Sequence, residues 1–166
     1  MWYVLQVKVG EELLIKNALI KTGLEAVVPR ELQTYRKNGN WYSKESVLFA
    51  SYVFCNIDYN AETYYKIKKL SSFMNFLGGK NPVALSSMEV EWIKILANNG
   101  NELEPIPIKI NENGNANILK GHPMKLFNQN ITKINKRQNK ANFEITICGE
   151  VKSFVFSIML EDNQKN

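Results

Sequence analysis

The longest run of strand-forming positions, Ser46 to Asp58 (Ser-Val-Leu-Phe-Ala-Ser-Tyr-Val-Phe-Cys-Asn-Ile-Asp), is almost continuously apolar and reads as a buried central strand. Two small residues, Ala50 and Ser51, interrupt it. The pattern therefore predicts a kink that turns Phe49, Tyr52 and Phe54 toward one open edge, where an aromatic cluster invites a partner. Upstream, Trp2 to Val9 alternates and predicts the first strand, which Gly10 ends. Glu11 and Glu12 then place negative charge where a helix N-terminus favours it, and Leu14, Ile15, Ala18 and Leu19 recur at helical spacing up to Gly23. Glu25 to Pro29 is a short extended piece, and Asn38-Gly39 inside Leu32 to Val47 predicts a hairpin.

Beyond the central strand, Ala61 to Ser72 predicts a second helix, and Phe73 to Leu77 a last strand closed by Gly78-Gly79. A third helix spans Ser86 to Asn98, with Ser86 and Glu89 at the spacing of a capping box and Val90, Ile93 and Ala97 on one stripe. From Asn99 to Asn117 the periodicity gives way to Asn, Glu, Gly and two prolines, which reads as a linker. Past it, Ile118-Leu119, Gln129 to Ile134, Asn142 to Ile147 and Lys152 to Leu160 are short strand-like runs separated by turn residues, the signature of a small β-barrel. The expected architecture is α+β: an antiparallel sheet with flanking helices over 1–98, a linker over 99–117 and a barrel over 118–162.

Charge changes this picture at the C-terminal end. The net charge of +5 divides into +3 for residues 1–99, −2 for 100–117 and +4 for 118–166. A small positive unit suits a phosphate backbone, whose neutralisation releases condensed counterions; a merely solvated basic face is the alternative. Cys55 and Cys148 form no Cys-x-x-Cys pair and no signal peptide precedes Trp2, which points to a reducing cytosol. No apolar run approaches the roughly 20 residues needed to span a bilayer.

Chemistry for catalysis is not visible. The single histidine, His122, has no cysteine or carboxylate at a nucleophile or metal spacing. Gly78-Gly79-Lys80 lacks the spacing and following hydroxyl of a phosphate loop, and Glu89 and Glu91 fall on different helix faces. The expectation is a non-enzyme with no cofactor and no metal.

Several landmarks, in order along the chain, resemble the NusG family of transcription elongation factors. They are Trp2-Tyr3-Val4 with Gln6, Val28-Pro29, Phe49-Ala50-Ser51-Tyr52-Val53 where the family has Phe-Pro-Gly-Tyr-Val, and Asn75-Phe76-Leu77-Gly78-Gly79 followed by Pro82 and Leu85-Ser86. The C-terminal unit resembles a diverged KOW domain at Pro123, Phe127-Asn128, Ile131 and Gly149. Ala50-Ser51 replaces the family's Pro-Gly, and Gln129 stands where the KOW glycine belongs. This drift is similar to that of a specialised paralogue of the LoaP type, less to the RfaH type.

The resemblance implies an NGN-type N-terminal domain that docks on the clamp helices of the largest RNA polymerase subunit. It assigns Trp2, Tyr3, Phe49, Tyr52 and Phe54 to that surface with Val90 and Ile93 nearby, and Thr63 and Tyr64 to the opposite pincer. Plain core packing is the competing reading for Trp2 and Tyr3, and local packing for Tyr64. Lys68 and Lys69 become candidates for the non-template DNA strand. Lys120, His122, Lys125, Lys133, Lys136, Arg137 and Lys140 crowd the barrel's turns, where they are candidates for a leader RNA hairpin. The functional expectation is a monomeric, cytoplasmic antitermination factor; the rival is a general RNA-binding module with no polymerase role. The β-branched positions Ile131, Thr132, Ile145, Thr146 and Ile147 argue that the barrel stays β rather than switching to helix.

Overall fold

The computed structural model describes residues 1–161. In chain order the elements are β1 (Trp2–Val7), α1 (Glu12–Lys21), β2 (Glu25–Val27), β3 (Arg30–Lys37), β4 (Asn40–Val47), β5 (Tyr52–Asn56), α2 (Ala61–Lys68), β6 (Phe73–Phe76) and α3 (Ser87–Ala97), then β7 (Ile106–Ile110), β8 (Ala116–Ile118), β9 (Ile131–Asn135), β10 (Lys140–Ile147) and β11 (Glu150–Leu160). They form two compact units. The first joins Met1–Pro29 to Val47–Gly100; the second joins Arg30–Ser46 to the chain from Asn101 onward.

In the first unit an antiparallel sheet runs in the order β2-β5-β1-β6. Strand alternation puts Tyr3, Leu5 and Val7 of β1 on the same face as Val53, Cys55 and Ile57, where they form one core cluster with Ile15 and Leu19 of α1 and Ile67 of α2. Asn60 caps α2, its Oδ1 accepting the Thr63 N–H at 2.9 Å, and Ser86 caps α3, its Oγ accepting the Glu89 N–H at 3.2 Å. The α3 cap therefore falls where the sequence puts it. Asn98, at φ 48°, ends that helix in the left-handed region. After β6 the chain turns at Gly78, whose φ is +96° and where a Cβ would sit 2.6 Å from the Asn81 carbonyl oxygen; only glycine fits there.

The second unit holds a five-stranded sheet, β8-β7-β11-β10-β9, in which β7 and β11 are parallel and the other pairs antiparallel. It is a half-barrel of the kind expected for a KOW-like domain. Along β10, Ala141, Phe143, Ile145 and Ile147 are buried while the residues between them are exposed. Phe143 meets Phe156 edge to face at 4.8 Å and stacks with Phe154 at 6.4 Å. Cys148 and Gly149, both at positive φ, make the two-residue turn into β11.

Two segments fall outside the expected boundaries. The stretch 99–117, expected as a linker, contributes β7 and β8 to the second sheet, with Ile106 and Ile108 fully buried. Pro105 and Pro107 mask a period-2 run of Ile106, Ile108 and Ile110; β7 tolerates Pro107, which registers with Met159 in the parallel pair. The hairpin β3–β4, expected within 1–98, clusters with the second unit. Asp162, the last residue of the expected barrel, lies outside the described residues.

Candidate functional site

The aromatic run was expected on an open edge, and the structure corrects this. β5 lies between β2 and β1, so it is not an edge strand. Phe49, Tyr52 and Phe54 do come together, Phe49 and Tyr52 each meeting Phe54 edge to face at 5.4 and 6.3 Å, but they are 4%, 5% and 0% exposed. Phe54 registers with Val4 and Tyr52 with Gln6, which puts these rings on the sheet face opposite the α1/α2 core. Trp2 and Ile93 are buried as well. Tyr3 belongs to the core itself, its ring 5.7 Å from Tyr59 and 6.3 Å from Phe76.

The kink that sets Phe49 against Phe54 is built by hydrogen bonds. Ser51 has φ 72°, a left-handed conformation where the family pattern has glycine. Its N–H donates to Glu12 Oε1 at 2.8 Å, its hydroxyl donates to the Val7 carbonyl, and its own carbonyl accepts the Val7 N–H at 2.9 Å. Glu12 also accepts the Gly10 N–H and is buried. The sequence identifies Glu12 only as a favourable charge at a helix start; its tertiary role leaves no local signal.

Around α2, Tyr64 is half-buried and stacked on Phe76 at 6.2 Å with Tyr59 at 6.4 Å, the local-packing alternative. Thr63 sits in the capped first turn. Lys68 Nζ lies 5.8 Å from the Tyr64 ring centroid and Lys69 is exposed at the C-cap. Val90, also half-buried, lines a shallow hollow on α3 with Ser87, Glu91 and Lys94, while Ile93 points inward.

In the second unit the expected cations separate into two kinds. Lys120, Lys125, Lys133, Lys136 and Arg137 are exposed. His122 and Lys140 instead hold the fold. His122 caps a 3-10 segment over Pro123–Asn130, its Nδ1 accepting the Met124 N–H at 3.1 Å, and burial lowers its pKa, so it works as a neutral acceptor. Lys140 Nζ donates to the Thr34 carbonyl and to Ser157 Oγ at 2.7 Å; burial lowers its pKa, against which the Glu31 charge acts. Ser157 Oγ accepts the Thr34 N–H at 2.8 Å, and the Ser157 N–H donates to buried Glu31 at 3.2 Å. Desolvation raises the Glu31 pKa, opposed by that hydrogen bond and by Lys140. This network fastens β3 to β10 and β11, and nothing in the local pattern of Arg30 to Lys37 announces it.

The aromatic kink and most of the third helix lie inside residues 1–94, the span that matches the family model of NusG, described as transcription termination factor nusG. The chain belongs to the NusG family. It is 33% identical over 131 residues to the transcription termination/antitermination protein NusG of Campylobacter jejuni, covering 72% of this chain and 73% of that one. Identity to the NusG of Pseudomonas aeruginosa is 25% over 160 residues, 89% of each chain. A solved structure concerned with domain interaction in Thermotoga maritima NusG shares the fold at a TM-score of 0.59 and 23% identity, covering 95% of this chain and 93% of that one. The chain is thus a NusG-like transcription termination/antitermination factor, and its NusG homologues are transcription factors rather than enzymes. Among the described residues no helix is long and apolar enough to cross a membrane.

Proposed function

We propose that this chain is a processive antitermination factor that binds the clamp helices of RNA polymerase through its first unit and is recruited by a leader RNA hairpin through its second. The match of residues 1–94 to the NusG family model is the observation that carries the reading. The gathering of Phe49, Tyr52 and Phe54 beside the kink supports it, since clustered aromatics supply most of the energy of many interfaces. These rings are buried, so the reading commits to their being uncovered on engagement. Val90 sits at the near, half-exposed end of α3, and Lys68 and Lys69, both exposed, are the point charges this reading offers to the non-template DNA strand. The drift at Ala50-Ser51 and the basic second unit favour a specialised paralogue of the LoaP type, acting as a cytoplasmic monomer.

The test is run-off transcription over a terminator, with and without the protein and its leader RNA, paired with capture of core polymerase. Read-through should rise, and Val90→Asp should weaken capture while leaving the thermal melt and RNA binding unchanged. Unchanged read-through together with undiminished capture by Val90→Asp contradicts the assignment. The rival, an RNA-binding module without polymerase, is favoured by the cationic second unit; it predicts steeply salt-dependent RNA binding and no polymerase capture at all.

A further inference from the structure

The hairpin β3–β4 carries chemistry that the assignment above does not use. Its two-residue turn, Asn38 and Gly39 at φ 52° and 79°, places Arg36 opposite Trp41 and Tyr35 opposite Tyr42. Tyr35 and Tyr42 stack at 5.7 Å with an interplanar angle of 25°, and Lys44 Nζ lies 5.7 Å from the Tyr35 ring centroid. Trp41 is 46% exposed, a large ring left standing on a polar hairpin. Because Glu31, Thr34, Lys140 and Ser157 tie this hairpin to β10 and β11, its tip is held beside the β9–β10 turn.

Between them lies an open cavity of about 770 Å3, lined by Tyr35, Arg36 and Trp41 on one side and Asn135, Arg137 and Gln138 on the other. That volume is within the roughly 300–1,000 Å3 that accommodates a group the size of a nucleotide. Among the described residues that line it there is no carboxylate. The β9–β10 turn is stiffened by the Gln138 N–H donating to Asn135 Oδ1 at 3.1 Å. Lys140 also lines it, its Nζ already donating to the Thr34 carbonyl and to Ser157 Oγ.

We propose that this groove binds unpaired RNA, with a base stacked on Trp41 and the flanking phosphates on Arg36 and Arg137. Planar aromatic and guanidinium surfaces facing one another across a carboxylate-free groove are the combination that takes splayed-out bases and their phosphates. An apolar peptide would leave two guanidinium groups desolvated without partners. An acidic peptide would satisfy the charges but leave Trp41 idle. The proposal rests on the reading that the second unit takes RNA, and it moves the recognition site from the turn alone to the turn plus a hairpin supplied from 101 residues upstream, counting from Arg36 to Arg137.

The experiment uses the full chain and a fluorescein-labelled, unstructured RNA of about a dozen nucleotides, followed by anisotropy. Trp41→Ala should weaken binding about tenfold, the loss expected for one base–aromatic stack, Trp41→Phe should restore most of it, and Arg137→Ala should reduce both affinity and salt dependence. Far-UV circular dichroism and the thermal melt, unchanged in these surface variants, establish that they fold. Wild-type affinity in both Trp41→Ala and Arg137→Ala, with loss instead on changing Lys120 and Lys125, overturns the groove while leaving the RNA reading intact. No binding of this unstructured RNA by the wild-type chain overturns the groove, and the leader-hairpin reading is then judged by the transcription assay alone. DNA of the same sequence binding more tightly than RNA, or a polyglutamate peptide competing as well as RNA, overturns the assignment to RNA.

Discussion

The carboxylate of Glu12 accepts the backbone N–H of Ser51 at 2.8 Å, and with it holds a serine in the left-handed region at φ 72°. Ser51→Gly relieves the backbone but loses the hydroxyl's bond to Val7, whereas Ser51→Ala loses the bond and keeps the strain. Chemical denaturation should therefore find Ser51→Ala less stable than Ser51→Gly by about 1 kcal/mol. Glu12→Ala, which strands the N–H groups of both Gly10 and Ser51, should cost about 2–3 kcal/mol.

Glu31 gives the second unit a signature in acid. Its folded-state pKa is raised, by desolvation above all, so the folded chain takes up this proton before the unfolded chain does. Stability relative to Glu31→Gln should therefore rise as pH falls from neutral through the carboxylate's raised range, and the gain should be complete below its unfolded value. Thermal melts of both proteins across that range measure it; a pH-independent gap contradicts the buried carboxylate.

His122 works in the opposite sense. Burial lowers its folded pKa, and its Nδ1 must stay unprotonated to accept the Met124 N–H. The stability it contributes is present above its unfolded pKa and is lost as pH falls through the folded one. His122→Asn, which keeps a capping acceptor without the titration, should lose less stability than the wild type on the same acidification.

Lys140 and Lys136 are separable although they border one turn. Lys140→Met removes the donor shared by Thr34 and Ser157, so it should destabilise the chain by about 1–3 kcal/mol and speed amide exchange in the hairpin 30–46. Lys136→Ala, at an exposed position, should leave the melt unchanged and lower RNA affinity mainly at low salt.

Cys55 is fully buried, and burial together with the Glu25 charge pushes its thiol up to about 12. It should resist alkylation at neutral pH until the first unit unfolds, which mass spectrometry of the native and denatured chain would distinguish.

Much of the fold is legible because its signals are local: the Ser86 cap and the small pair that kinks the strand before Tyr52 in the first unit, and the Asn38-Gly39 turn in the second. Burial of Phe49 and Tyr52 was not legible, since an aromatic on a central strand and one on an edge have the same neighbours in sequence. Prolines hid β7, because Pro107 lies one residue past the Ile108–Ile118 pair that ends the β7–β8 ladder, where its missing N–H costs no ladder bond. The roles of His122 and Lys140 escaped for a related reason. A cation that satisfies a carbonyl 106 residues away looks, in the chain, like any other lysine at a turn.

During synthesis the hairpin β3–β4 emerges long before the strand that holds it. Thr34 finds its acceptor only once Ser157, 123 residues later, has left the ribosome, and Glu31 waits longer still for the Ser157 amide. Until then a basic, aromatic ribbon is present without its anchor, and the second unit closes in a step that waits for the arrival of β11.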